Sequence, residues 1–459
     1  MILDMVKQWI NRIKKSSFIK SVLSLSSGVL IGQVILTLST PVISRIYTAS
    51  DMGDYTLIVS NANIIIAVSA LGMLTVFMLP KEDTEARELC RLVTLCSLFI
   101  CSICVGFLYL ISPYWKLLDT EGVSYSAALI VLWIYVTSYI INNICYAYAN
   151  RLKLYKVLFW NPIIGAVVNM GLSILFGFMG LGFIGYTVAS IISVLANIIH
   201  VIKHVNPYSE IPDNKKIGYM SLLKSYSRFP KYQMPSNLVS NIANQIPLRI
   251  LSDAFSSSVL GYYSMVNKIM SLSTSLLAVP INRVYFQEAS KRYREGDDIG
   301  EFAFRILESS IKIAILPIAI LMVFGRWIFK IVLGAQWEQA GAYAAVLGIY
   351  FLIGFCSSCL SGSFVIIGKN SWSLISASAN AVIGILLFAL INIFTGISEW
   401  TFLFVMSVSF TIERIFENGV FFYYTGFDLR RYVIFVVRLV VIPFILAYFI
   451  QLSILKFMH

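Results

Sequence analysis

Three ionisable residues, Glu413, Arg414 and Glu417, interrupt the apolar run between Thr401 and Tyr424. On a helix Glu413 and Glu417 share a face at i, i+4, and Arg414 reaches Glu417 at i, i+3. Such a group either hides its charges as an internal ion pair or couples to an ion or a substrate. Charge in hydrocarbon is otherwise too costly to keep.

Two polar stripes could hold a polar cargo. Gln33, Thr37, Thr40 and Ser44 recur at i, i+4, i+7 and i+11, which places them on one helical face. Asn237, Asn241, Asn244, Gln245, Arg249 and Ser252 form a stronger version of that pattern, and Ser264, Lys268, Ser271 and Ser275 follow on the next span. The earlier counterparts of this last set are Thr56, Ser60, Asn63 and Ala67. Amides and hydroxyls can replace the water lost by a sugar, while Lys and Arg answer phosphate. Ser and Thr are also ordinary glue between membrane helices. A stripe carrying Arg249 and Lys268 is harder to read as packing, because each charge costs about 2.5–3.5 kcal/mol at a span centre.

Catalytic constellations are not visible. The chain contains no H-E-x-x-H, P-loop or nucleophile elbow. Cys101/Cys104 and Cys356/Cys359 match C-x-x-C, but they lie in apolar segments and only three His are available as further ligands. They read as buried small hydrophobes. The chain is therefore expected not to be an enzyme and to need no cofactor or metal.

These residues must be positioned by membrane helices. Of 459 residues 58% are apolar and 13% charged, against about 25% charged in soluble domains. Runs long enough to cross a core of roughly 30 Å fall near 22–46, 53–79, 87–112, 123–149, 157–179, 182–202, 234–252, 258–285, 303–333, 339–367, 371–394 and 399–424, with a thirteenth apolar stretch near 432–455. Positive charge collects at 7–20, 81–91, 151–156, 203–231, 291–305, Lys369 and Arg430/Arg431. That alternation puts the N-terminus and the centre of the chain in the cytoplasm. The net charge of +12 thus sets topology, and nucleic acid is not an expected partner. Trp115, Trp160, Trp327, Trp337, Trp372 and Trp400 fall at span ends, where an indole prefers the interface. Pro280 and Pro317 are candidates for kinks.

The expected organisation is an N-terminal lobe at 1–203, a cytoplasmic linker at 204–232, a C-terminal lobe at 233–425 and an additional apolar helix at 426–459. A shift of 208 positions lays Gly53-Asp54-Tyr55-Thr56 on Gly261-Tyr262-Tyr263-Ser264 and Ser44 on Ser252. The fold class expected is all-α: a polytopic membrane helix bundle of two pseudo-symmetric six-helix lobes around a central cavity, as repeat-built transporters have.

Several local features carry a family likeness. A basic N-terminus leads into Ser26-Ser27-Gly28 and a first span ending at Pro41 and Arg45; the Gly53/Tyr55 and Gly261-Tyr262-Tyr263-Ser264 hairpins, Val279-Pro280, Phe324-Gly325 and Leu333-Gly334 follow. Over roughly 17–425 the chain resembles the polysaccharide (O-antigen) flippases of the multidrug/oligosaccharidyl-lipid/polysaccharide exporter superfamily. The resemblance implies export of undecaprenyl-diphosphate-linked oligosaccharide from the cytoplasmic to the periplasmic leaflet of a bacterial inner membrane by alternating access. It implies a cationic cavity, carried here onto Arg45, Arg249 and Lys268, with less weight on Arg283 and Lys312. Gln33, Asn63, Asn241 and Gln245 complete the expected substrate-binding set. Membrane lipid is an expected partner, with a polysaccharide polymerase and other assembly proteins as further candidates. The thirteenth stretch departs from the twelve-span pattern. Two competing readings are a cation-coupled drug antiporter using Glu413 or Glu417, and a membrane polymerase. The short periplasmic loops disfavour the polymerase.

Overall fold

The computed structural model describes residues 17–80, 82–112, 123–209, 218–369, 371–394, 396–442 and 444. These residues form helices and their connections, with no strand among them. Among the described residues eight helices are long and apolar enough to cross a membrane. The chain divides into two compact units, Met1–Tyr47 with Asp54–Gln245 and Thr48–Gly53 with Ile246–His459.

The first unit contains α1 (Ser17–Leu38), α2 (Thr40–Ile46), most of α3 (Ala49–Ser69), α4 (Asp83–Ile111), α5 (Tyr125–Arg151), α6 (Tyr155–Phe178), α7 (Gly182–His204), α8 (Tyr219–Ser225) and the start of α9 (Met234–Ile250). Helix α6 packs on α1 and α7, and α5 on α4 and α7. Their apolar faces meet in a cluster of Cys145, Ala149, Val157, Leu158, Ile198 and Val201. The turn expected between Gly177 and Gly182 is present, with Gly180 at φ +72°.

One span is not the continuous helix that its apolar run suggests. The stretch read as 53–79 breaks after α3, where Leu71 and Gly72 take left-handed φ values of 53° and 66°, and resumes as a 3-10 turn at Met73–Met78. Left-handed residues end a helix because the next N–H groups no longer reach back along it. The carbonyls beyond the break then need donors. Arg151 supplies them: Nη1 donates to the carbonyls of Phe77 at 3.0 Å and Pro80 at 2.8 Å, and Nε to Asp83 Oδ1 at 2.9 Å. A residue that looks like a topological loop charge is thus a clamp. Arg151→Met should lower the melting midpoint of the purified protein, by about 2 kcal/mol of stability, through orphaning those carbonyls. The half-exposed Asp83 adds little to that figure. An unchanged midpoint would show that the clamp is ornamental.

The start of the linker is anchored in the same unit. Arg91 Nη2 donates to the carbonyls of Tyr208 and Ser209 at 3.1 and 2.8 Å, and the Tyr226 hydroxyl donates to Glu85 at 3.0 Å. Burial, followed by that carboxylate, pushes the Tyr226 phenol up to about 12.

The second unit contains the end of α9, α10 (Ser257–Ser273), α11 (Val279–Glu295), α12 (Ile299–Leu333), α13 (Glu338–Cys359), α14 (Ser363–Ile366), α15 (Ser371–Ile393), α16 (Glu399–Tyr424) and α17 (Leu429–Val436). The hairpin of α12 and α13 forms its centre, with α10 and α16 laid against α13 and α15 against α16. π-Helical turns at Leu251–Phe255 and Thr274–Ala278 join α9 to α10 and α10 to α11. The second of these lies just before Pro280, whose missing N–H cannot continue a regular ladder. Trp337, expected at an interface, is fully buried and meets the Tyr262 ring edge-on at 6.0 Å. The thirteenth stretch starts as α17, capped by Asp428 and held by Arg431 on Glu301 at 2.8 Å. Most of its later part lies outside the described residues.

The repeat read from the sequence has a structural counterpart in this second unit. Thr48 and Asp51 cap α3, the Thr48 hydroxyl donating to Asp51 and accepting from its N–H; Ser256, 208 positions on, caps α10 by accepting from the Val259 N–H at 3.2 Å. The two capped turns cross backbone to backbone. A Cβ at Gly53 would strike the carbonyl oxygen of Ser257, and one at Gly261 would strike that of Ala49. The starts of α3 and α10 thus meet within the second unit through equivalent atoms.

Candidate functional site

The first expected stripe divides at Ser39, where α1 ends and α2 begins. Its hydroxyls are spent locally: Thr37 donates to the Gln33 carbonyl at 2.8 Å, Thr40 to Leu36 at 3.0 Å and Ser44 to Pro41 at 3.2 Å. Ser44 is fully buried. Gln33 and Asn63 are half-buried, and Arg45 is exposed at the end of α2. On α9, Asn241 Nδ2 donates to the Asn237 carbonyl at 2.8 Å, and Asn244 is exposed. Gln245 is buried, and its Oε1 lacks a hydrogen bond. Gln33, Arg45, Asn63, Asn241 and Gln245 all belong to the first unit.

Arg249 and Lys268 belong to the second. Arg249 Nε donates to Asp253 Oδ2 at 2.6 Å, one helical turn further along. The cation therefore arrives with its own counter-ion, which reduces the cost of holding it largely away from water. On α10 the Ser264, Ser271 and Ser275 hydroxyls turn back onto backbone carbonyls at 2.8–3.1 Å, so Lys268, half-buried, is the feature of that face suited to an anion. Arg283 is exposed on α11, and Lys312 pairs with Glu308 at 2.7 Å on an exposed face of α12.

The acidic group of α16 is in contact as its spacing requires. Arg414 Nη1 donates to Glu417 Oε2 at 2.9 Å, and its Nε lies 3.4 Å from Glu413 Oε2. Ser376 on α15, which sequence reasoning did not connect with this group, makes a 2.6 Å hydrogen bond to Glu413 Oε1. One residue further, Asn418 Nδ2 donates to Ser357 Oγ on α13 at 3.0 Å.

Two further features escaped the reading of spacing. Asp253 was legible in principle, as an acid at i+4 from Arg249. The other is a polar string through the first unit: Asn169 Nδ2 donates to Ser190 Oγ at 3.1 Å, Ser190 lies 3.3 Å from the Tyr55 hydroxyl, and the Tyr55 ring meets Tyr186 edge-on at 4.6 Å. It joins residues 135 positions apart, and no local spacing announces it. Among the described residues no group of three His, Cys, Asp or Glu could hold a metal, and the cysteines are free thiols, buried or half-buried.

Comparison with solved structures identifies the fold. A multidrug resistance MATE family transporter of the MOP superfamily, inward-facing, matches with a TM-score of 0.64 at 14% identity, over 90% of this chain and 98% of that one. A MOP superfamily transporter from Pyrococcus furiosus, described as having a binding pocket of reversed polarity that suggests a different function, matches at 0.55 and 15%, over 90% and 96%. An outward-facing MATE family transporter matches at 0.53 and 16%, over the same shares. The fold is that of the MOP superfamily. No curated protein matches the chain. The family model for polysaccharide biosynthesis proteins matches residues 42–342, and the chain belongs to that family, as a multi-pass membrane protein of transporter fold.

Proposed function

We propose that the chain flips undecaprenyl-diphosphate-linked oligosaccharide, the repeat unit of O-antigen or a related surface polysaccharide, from the cytoplasmic to the periplasmic leaflet of a bacterial inner membrane, its N-terminus lying in the cytoplasm. The supporting observation is the combination of membership in a polysaccharide family with Arg249, its partner Asp253, Lys268 and the amides of α9 on two successive helices of a chain rich in membrane-length helices. Moving one sugar hydroxyl into hydrocarbon without a partner costs about 4–8 kcal/mol. A head of several sugars therefore does not cross unaided. Amides such as Asn241 and Gln245 substitute for lost water. The diphosphate competes with Asp253 for the Arg249 guanidinium, a fork that suits phosphate oxygens. With the inside negative, a head of about two negative charges moves outward downhill by roughly 4.6 kcal/mol per 100 mV, so the protein has mainly to lower the barrier.

Removing the gene from a producing strain tests this reading. Loss of surface polysaccharide, with lipid-linked repeat units accumulating in the cytoplasmic leaflet, is expected. Intact surface polysaccharide together with retention of a normally expelled cationic dye would contradict it and favour drug antiport, a reading that the family match does not support.

A further inference from the structure

We propose that Glu413, buried in α16 of the second unit, is a proton-binding site, alternately charged and neutral. The inference rests on charge balance and on hydrogen-bond chemistry, and extends the transport reading by naming its coupling ion.

Glu413 and Glu417 share the single guanidinium of Arg414. Among the described residues no other cation pairs with either carboxylate, so the fully ionised group carries one excess negative charge near the middle of α16. Glu417 has the better contact, a direct 2.9 Å hydrogen bond. Glu413 has the poorer one. Its side chain is 6% exposed, its Oε2 makes no hydrogen bond, and it faces Arg414 at a longer 3.4 Å. The excess charge is therefore most cheaply removed at Glu413, by one proton.

Of its remaining partners, Ser376 and the Asn380 amide, the first suits both states. Ser376 Oγ, 2.6 Å from Oε1, donates to the carboxylate and accepts from the carboxylic acid, since a hydroxyl does either. A backbone N–H in that place would stabilise the charged form alone. The groups facing Glu413 are few. On α15 they are Ser376 and, one turn on, Asn380, which donates to the Ser376 carbonyl at 3.1 Å. On α13 the Tyr350 phenol interacts electrostatically with Glu413 and Arg414. On α16 they are Arg414 and Glu417. The Tyr432 hydroxyl of α17 is engaged elsewhere, with the Ile415 carbonyl at 2.9 Å. Proton loss leaves Arg414 divided between two carboxylates; proton gain releases it to Glu417. Movement of Arg414 is thus tied to the proton.

Infrared difference spectroscopy of the purified full-length protein across the neutral pH range reads this directly, without any transported substrate. The expected result is a protonated-carboxyl C=O band that titrates in wild type and Glu417→Gln and is absent in Glu413→Gln. Because Glu413→Gln alters a buried group, Ser376→Ala provides a second reading: its band should shift to higher frequency on losing the hydroxyl. Absence of a titrating band, its persistence in Glu413→Gln, an unshifted band in Ser376→Ala, or a response to sodium at constant pH would each overturn the proposal. None of these outcomes bears on whether lipid-linked sugar is moved, so the two readings fail separately.

Discussion

Gly53→Val and Gly261→Val should each leave little folded protein in the membrane, the largest stability loss expected of any exposed-or-buried glycine change in this chain. A side chain at Gly53 meets the Ser257 carbonyl oxygen, and one at Gly261 meets the Ala49 carbonyl oxygen and, at 3.1 Å, the Gly53 nitrogen. Backbone atoms cannot rotate aside as a side chain can, so the two helices must separate. Overpacking a tight contact ordinarily costs about 1–3 kcal/mol, and here it also pulls apart two capped helix starts. Alanine should already be harmful. The control is Gly171, around which a Cβ would meet nothing within 4 Å; Gly171→Ala should gain a little from helix propensity, about 1 kcal/mol or less. Membrane-extracted yield and melting midpoint check both. If Gly53→Ala and Gly171→Ala behave alike, the backbone crossing is not a fixed feature of the native protein.

The second large effect is on transport. Replacing Arg249 and Lys268 together by Ala should lower surface polysaccharide about a hundredfold while the protein remains in the membrane. Two charge-assisted contacts to a diphosphate, each worth about 1.5 kcal/mol at the low end, amount to that factor. Arg249→Ala alone carries a complication, because it strands Asp253, its 2.6 Å partner. Removing both members of the pair separates the causes. Should Arg249→Ala with Asp253→Ala restore export, the stray carboxylate was the poison and Arg249 has no part in binding. Persistent loss is the expected outcome.

Eight of the expected spans were legible because membrane helices declare themselves by length and apolarity, and the α6–α7 turn by its glycines. The stretches at 53–79, 234–252, 258–285 and 399–424, which carry many of the polar groups, are not among those eight. The break at Leu71–Gly72 was not. Its signal is one glycine in an apolar run, and the stabilising partner, Arg151, lies more than seventy residues away. The spacing argument succeeded where contacts are local, as in the Arg414–Glu417 pair. It was less informative for the hydroxyl stripes, because Ser and Thr on a helix can satisfy themselves on the preceding turn, as Thr37, Ser264 and Ser275 do. Ser376, Ser190 and Asn169 became visible only once separate helices were packed together. The 208-residue repeat is slight as a sequence match, yet its positions are the caps and glycines at which the starts of α3 and α10 meet within the second unit. Such positions tolerate few residue types, so they retain a trace of the duplication when the lipid-facing positions around them do not.

The most direct measurement is translocation by the purified protein in sealed vesicles. A polyprenyl-diphosphate oligosaccharide is placed in both leaflets and probed from outside with a membrane-impermeant glycosidase. Inner-leaflet substrate should become cleavable in vesicles holding the wild-type protein and stay protected in those holding the Arg249→Ala/Lys268→Ala variant. Continued protection with a wild-type protein that is folded and correctly inserted would contradict the account.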